Sequence, residues 1–188
     1  MKKKEAVELF VRYIVLALLA LGNLWLFYLV FTPLTVYPVM WLLGLFYSGV
    51  YLVEGTSRII FNSIDVDIVA ACVAGSAYYL LLILNLTTPM KKGVRAKSVV
   101  FLMAAFLLLN IIRIVLFSML YYSGFNYFEV AHKITWYAIS TIMVVAIWFV
   151  NVWVLKIKEI PVYSDAKQIL EDTLGKNKKK LEKKKSKK

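Results

Sequence analysis

The sequence has 188 residues but only one cysteine, Cys72, and one histidine, His132. A single thiol excludes an intrachain disulfide, a CxxC redox pair and a structural zinc knuckle. A single imidazole excludes histidine-based metal sites unless carboxylates supply nearly all the ligands, so no metal or other cofactor is expected. There is no glycine-rich phosphate loop, and no serine sits in a GxSxG elbow. Charge is sparse as well, at 18% of residues. Apolar residues are what the chain has in excess. They make up 61% of it, with 15% aromatic and a mean hydropathy of +0.72, values that exclude a soluble single domain.

The formal net charge of +12 is concentrated rather than spread. Twelve of the 23 basic residues are lysines after Leu155, against five acids there (Glu159, Asp165, Glu171, Asp172 and Glu182). The remaining bases flank apolar segments and form no stripe with interleaved aromatics, so membrane lipids are expected partners and nucleic acid is not.

A helix that crosses a bilayer needs about 20 mostly apolar residues, because its backbone must pair internally through a hydrocarbon core about 30 Å thick. Five stretches qualify, near residues 9–31, 34–53, 68–86, 98–121 and 134–155. They predict an all-α, polytopic membrane bundle of about five transmembrane helices within residues 1–155. The basic remainder, residues 156–188, is expected to be a largely disordered cytoplasmic tail, since a run of like charges cannot bury a core. Lys2, Lys3 and Lys4 precede the first stretch as in a signal peptide, but its apolar run exceeds the roughly 7 to 15 residues of a cleavable segment.

Pro33 and Pro38 make the second stretch a candidate re-entrant helix. Residues 54–67, partly alternating and β-branched, predict a short surface hairpin, with Asp65 or Asp67 as N-cap of the next helix. Pro89 and Gly93 are expected to break helix in the basic loop 87–97. Counted over whole segments, the face with that loop and the tail carries 16 basic residues against six, which favours a cytoplasmic tail. Counted only within reach of the spans, the balance is seven to six and leaves orientation open.

Three polar residues stand out within these segments. Cys72 lies one turn into the third, among Ala71, Ala74, Gly75 and Ala77, small residues that let helices approach closely. Helical spacing would put Cys72, Ser76 and Tyr79 on one face, although an isolated buried cysteine is commonly a small hydrophobe. Arg113 interrupts an otherwise uncharged run, at a cost of roughly 2.5–3.5 kcal/mol at mid-helix, and such a residue marks function unless it snorkels to the headgroups. Asn110, one turn earlier on the same face, is placed to hold its geometry. His132 begins the fifth segment, close to Glu129 and Lys133. Because successive helices alternate direction, thiol, guanidinium and imidazole fall toward one membrane face, whichever face is cytoplasmic.

Ala70-Ala-Cys-Val-Ala-Gly-Ser-Ala77, Asn110-Ile-Ile-Arg113 and Val130-Ala-His132, in this order on three successive hydrophobic helices, resemble the motifs of the exosortase/archaeosortase family of integral membrane cysteine transpeptidases. The resemblance spans Ile59 to Leu155. It departs at Cys-Val-Ala-Gly-Ser, where the family more often shows Cys-Ser-Gly or Cys-Thr-Gly. The resemblance implies a nucleophilic cysteine at Cys72, an arginine required for activity at Arg113 and the family's third position at His132; Asn110 and Ser76, by their helical spacing, are expected to support them. It also implies substrates: exported proteins ending in a recognition motif, a transmembrane helix and a basic cluster, cut on the extracytoplasmic face of the cell membrane. The expected reaction is acyl transfer through a thioester, released to water or to a lipid-linked nucleophile. The rival expectation is a non-enzymatic scaffold or transporter subunit, in which Arg113 pairs with a headgroup and Cys72 merely packs.

Overall fold

The computed structural model describes residues 3–22 and 24–157. The lysine-rich tail expected at 156–188 lies outside the described residues from 158 onward. Among the described residues, four helical stretches are long and apolar enough to cross a membrane: Trp25–Phe46, Ala70–Thr87, Lys92–Tyr122 and Phe128–Val154. The chain is a membrane protein, and its fold is a mostly α-helical bundle with one small sheet.

The first two helices, α1 (Lys3–Leu21) and α2 (Trp25–Phe46), meet earlier than expected. The chain turns at Gly22 and Leu24, the latter left-handed at φ 58°, and not at Pro33. The stretch 9–31 is therefore divided, and α1 keeps only Phe10–Leu21 as its apolar part. Pro33 and Pro38 lie inside α2, which runs unbroken for 22 residues, so the re-entrant expectation gives way to a continuous helix. Each proline removes one backbone donor, a loss that membrane helices tolerate. Val36, Val39 and Leu43 form the buried stripe of α2, clustered with Ile111, Ile114 and Val115 from the long helix α5 (Lys92–Tyr122) and with Ile59 and Phe61 from the sheet.

That sheet has three antiparallel strands in the order β1 (Tyr51–Leu52), β2 (Arg58–Phe61) and β3 (Ile64–Asp67), one more than a hairpin. Asn62 and Ser63 join β2 to β3 with φ of 46° and 65°. Two consecutive positive φ values suit the twist of a tight hairpin, and asparagine tolerates them well. Alternation buries Ile59 and Phe61 and leaves Arg58 outward, where it faces Asp67 in register. Its Nη2 donates to Asp67 Oδ2 at 3.0 Å, and Asp65 Oδ2 lies 3.8 Å from Nη1. The aspartates therefore serve the sheet. The next helix is capped at Val69, with no side-chain hydrogen bond.

That helix is a single turn, α3 (Ala70–Val73), separated from α4 (Gly75–Thr87) by Ala74 in the left-handed region at φ 59° and ψ 48°. Such a conformation costs roughly 1–2 kcal/mol for a residue with a Cβ, so tertiary contacts must hold it. Tyr28 of α2 is one of them. A Cβ added to Gly75 would lie 2.8 Å from Tyr28 Cζ and 2.9 Å from Cε1, so only glycine admits the ring there. Gly75→Ala is expected to lower stability by about 1–3 kcal/mol. Thermal unfolding in detergent checks this, and the Gly75→Ala/Tyr28→Ala double variant should lose less than the two single losses combined.

The remaining helices are α5 (Lys92–Tyr122), α6 (Phe128–Ile134) and α7 (Ser140–Val154), with a π-helical segment, Thr135–Ile139, joining the last two. Gly93 does not break helix, because it lies in the first turn of α5, and only residues 88–91 separate α4 from α5. Arg95 reaches back to the carbonyls of Asn85, Leu86 and Thr88 at 2.7, 3.2 and 3.0 Å. The last carbonyls of a helix have no partner within it, and this guanidinium supplies one. Beside it, the fully buried Asn85 and Asn151 both donate through Nδ2 to Ser98 Oγ, tying α4, α5 and α7 together. The sheet, α3, the end of α5 and α6 gather at the opposite end of the bundle.

Candidate active site

A cavity of about 320 Å³ opens at the sheet end of the bundle, and Cys72, Arg113 and His132 all line it. Three separate elements deliver them: the isolated turn α3, the second half of α5, and α6. The other walls include Asp65 and Asp67 of β3 and the aromatic rings of Phe117, Phe128 and Trp136.

The break at Ala74 determines what Cys72 presents. The backbone leaves the helical path one residue after Val73, and side chains of α5 meet the carbonyls there. Asn110 Nδ2 donates to the Cys72 carbonyl at 2.9 Å and to that of Val73 at 3.5 Å. Arg113 Nη2 donates to the same Cys72 carbonyl at 3.4 Å. Asn110 is fully buried, and among the described residues its Oδ1 has no partner. Unpaired backbone carbonyls in apolar surroundings cost free energy comparable to a lost hydrogen bond, so Asn110 and Arg113 stabilise the kink that carries the thiol. Cys72 itself is half-buried and unbonded to any other cysteine.

Arg113 does not run out to the headgroups. Its Nη1 donates to Ser140 Oγ at 2.6 Å while its Nη2 holds the Cys72 carbonyl, so the planar fork spans two helices. Ser140 Oγ in turn donates to the Thr135 carbonyl at 2.9 Å, which also accepts the Ser140 amide across the π-helical turn. Widened turns of this kind occur frequently at functional sites. Here the turn brings Ser140 within reach of the guanidinium.

His132 lies within α6 rather than at its start, because the helix begins at Phe128, ahead of the expected boundary at 134. Phe128 stacks on the imidazole at 5.6 Å between ring centroids and 8° between planes, while Phe117 and Trp136 meet it edgewise at 5.4 and 5.8 Å. The imidazole is thus oriented by aromatic contacts. On the outer surface of α6, Glu129 pairs with Lys133 at 3.6 Å.

Ser76 is placed elsewhere. The left-handed Ala74 rotates α4 relative to α3, so Ser76 and Cys72 do not share a face. Ser76 lines a second cavity of about 310 Å³ on the flank of the bundle, together with Ala71, Ala74, Tyr28 and Ser140. Arg113 and Trp136 belong to both cavities and form the partition between them. Tyr79 points away, donating its hydroxyl to the Leu16 carbonyl at 3.0 Å.

Asp65 and Asp67 line the cavity from β3, and their half-exposed carboxylates face Arg58 on the sheet's outer surface. The Asp67 hydrogen bond and charge, followed by that of Asp65, hold the Arg58 guanidinium above its ordinary range. Among the described residues no group of three or more His, Cys, Asp or Glu clusters as a metal site would require.

Fold and site together define a polytopic membrane protein with a thiol, a guanidinium and an imidazole around one cavity. No family model matches the chain, and neither a curated protein nor a solved structure matches it. Ser140 and Thr135 were not singled out in the sequence. Their only local signal is a pair of hydroxyl residues flanking the start and end of an aromatic stretch, too common a pattern to identify a partner for Arg113.

Proposed function

We propose that this chain is a membrane-embedded cysteine peptidase or transpeptidase of the exosortase/archaeosortase kind. The observation that supports this reading is the convergence of the chain's one thiol, its one imidazole and the arginine buried deepest in a span on a single cavity. His132 takes the proton of the Cys72 thiol, and the thiolate adds to a substrate carbonyl carbon to form a tetrahedral oxyanion. Collapse of the oxyanion breaks the C–N bond, and the imidazolium returns its proton to the leaving amine. The thioester left on Cys72 is then attacked by water, or by a lipid-linked amine or hydroxyl whose proton His132 removes, and the thiol is restored.

Arg113 supplies positive charge where the thiolate and oxyanion develop. A donor fixed before the reaction stabilises such charge more than a mobile one, because nothing must reorganise during the step. The clamp on Ser140 and the Cys72 carbonyl provides that fixity. The substrates are exported proteins ending in a recognition motif, a transmembrane helix and a basic cluster, and the cavity faces the extracytoplasmic side with the lysine tail in the cytoplasm.

His132→Phe separates this reading from a scaffold or transporter subunit. Phenylalanine preserves the stack on Phe128 and removes the proton carrier, so the variant should unfold at nearly the wild-type temperature while peptide cleavage falls about 10²- to 10⁴-fold. Cleavage is read by mass spectrometry on a degenerate mixture of synthetic decapeptides added to purified protein in detergent. Wild-type cleavage that His132→Phe leaves intact would remove the imidazole from the mechanism.

A further inference from the structure

The edge of β3 that faces away from β2 is the remaining wall of the cavity. The Ile68 amide donates to the Ser57 carbonyl at 3.1 Å, and the β2–β3 register pairs Arg58 with Asp67 and Ile59 with Val66. Antiparallel ladders bond every second pair. Ile59 with Val66 and Phe61 with Ile64 are therefore the bonded pairs, and the backbone groups of Asp65 and Asp67 are directed away from β2. On the far side of β2, the Val53 amide donates to the Arg58 carbonyl at 3.0 Å, as the same alternation requires. The Asp67 carbonyl accepts from the Val69 amide at 3.2 Å. The amide and carbonyl of Asp65 and the amide of Asp67 remain, and among the described residues no strand pairs with that edge.

Asp65, Val66 and Asp67 all line the cavity. Side chains alternate between the two faces of a strand, so a cavity bounded by three consecutive residues runs along the strand's edge and not over a face. Cys72 lines the same cavity one short turn further along the chain.

We propose that the substrate segment binds as an added strand on the free edge of β3, its backbone paired with Asp65 and Asp67 and its scissile carbonyl carried to Cys72. Cleavage of the bound segment rests on the proposed peptidase activity; its binding does not. A peptide is the ligand whose donors and acceptors repeat as those of an open strand edge do, whereas a lipid chain has neither. In this arrangement alternate substrate side chains point inward toward Phe117, Phe128 and Trp136, and the others point outward beside the Asp65 and Asp67 carboxylates. Recognition therefore alternates between apolar residues and polar or cationic ones.

Amide hydrogen exchange on full-length Cys72→Ala protein in detergent, with and without the degenerate decapeptide mixture, tests the edge without turnover. Exchange at Asp65 and Asp67 should slow by about tenfold or more, while Val66 and Ile64, already paired with β2, change little. In the wild-type background, Asp65→Pro deletes an outward amide that the β2 ladder does not use, so the sheet tolerates it. It should raise KM for peptide cleavage by about tenfold or more beyond the KM of Asp65→Ala, which loses the same carboxylate but keeps the amide. Slowed exchange alongside a wild-type protein that cleaves nothing would support the edge site and sink the peptidase reading. Unchanged exchange while the wild type cleaves the same peptides would overturn the edge site alone. Slowing that needs no peptide would also overturn it, assigning the edge to a second copy if it grows with protein concentration and to lipid if it tracks added phospholipid.

Discussion

Cys72→Ala is expected to abolish cleavage of the decapeptide mixture, lowering turnover by about a thousandfold or more, while the bundle stays folded. The two halves of this expectation have separate structural grounds. The contacts that hold α3 are made to the Cys72 carbonyl by Asn110 and Arg113, and alanine keeps that carbonyl. What is removed is a half-buried thiol of about one methylene's bulk, worth roughly 1 kcal/mol of packing. Cys72→Ser is expected to be inactive as well, since a hydroxyl in the same place is a far weaker nucleophile near neutral pH. Turnover by mass spectrometry and unfolding temperature by circular dichroism, measured on one preparation, test both halves. A Cys72→Ala protein that is folded and cleaves within tenfold of wild type contradicts the assignment of the nucleophile.

Arg113 carries the second large effect, and it should affect activity and stability differently. Arg113→Leu is expected to lower turnover by about 10²- to 10³-fold, the usual cost of removing a fixed donor from developing negative charge. Its stability should change little, because relief of the cost of a guanidinium in a span is set against the loss of its share in holding the kink at Ala74. The partners left behind are not stranded, because Ser140 Oγ keeps its bond to the Thr135 carbonyl and the Cys72 carbonyl keeps Asn110. Arg113→Lys is the sharper variant. Lysine retains the charge but cannot hold Ser140 and the Cys72 carbonyl in one plane, and bidentate sites do not treat the two residues as equivalent. It should lose most of the activity that Arg113→Leu loses. A lysine variant with wild-type turnover would mean that the residue acts only as a point charge, as a headgroup partner would.

Much of this architecture was legible in the sequence because bilayer crossing leaves a strong signature. Apolar runs located Ala70–Thr87, Lys92–Tyr122 and Phe128–Val154, whereas the first two expected spans fell across Trp25–Phe46, and the alternating direction of successive helices put Cys72, Arg113 and His132 at one end without any tertiary information. Boundaries were less legible. Proline at 33 suggested a break, yet α2 runs through it unbroken, while the real break at Gly22 and Leu24 has only one glycine to announce it. The aspartates at 65 and 67 carried the signature of an N-cap, and a cross-strand arginine competed for them successfully. Arg95 resembled any membrane-flanking base, since nothing local reveals that a side chain turns back to close the preceding helix.

The kink at Ala74 is the most consequential feature that no local pattern discloses. Alanine favours helix and avoids left-handed backbone, so its conformation here is imposed by Tyr28 against Gly75 and by Asn110 and Arg113 on the freed carbonyls. That imposed conformation moves Ser76 into the flanking cavity and turns Cys72 toward His132's cavity. Helical periodicity alone therefore grouped the wrong residues. The widened turn at Thr135–Ile139 was hidden for the same reason, its purpose lying in a contact with a different helix.

The most direct measurement is the intact mass of the protein after rapid acid quenching during turnover of the decapeptide mixture. A cysteine peptidase with this site should show a transient adduct equal to the acyl portion of a cleaved peptide. That adduct should map to the proteolytic fragment containing Cys72, be released by hydroxylamine, and be absent from Cys72→Ala. Peptide cleavage that proceeds at the wild-type rate with no adduct on Cys72 at any quench time, or with an adduct on another residue, would contradict a thioester mechanism at this cysteine.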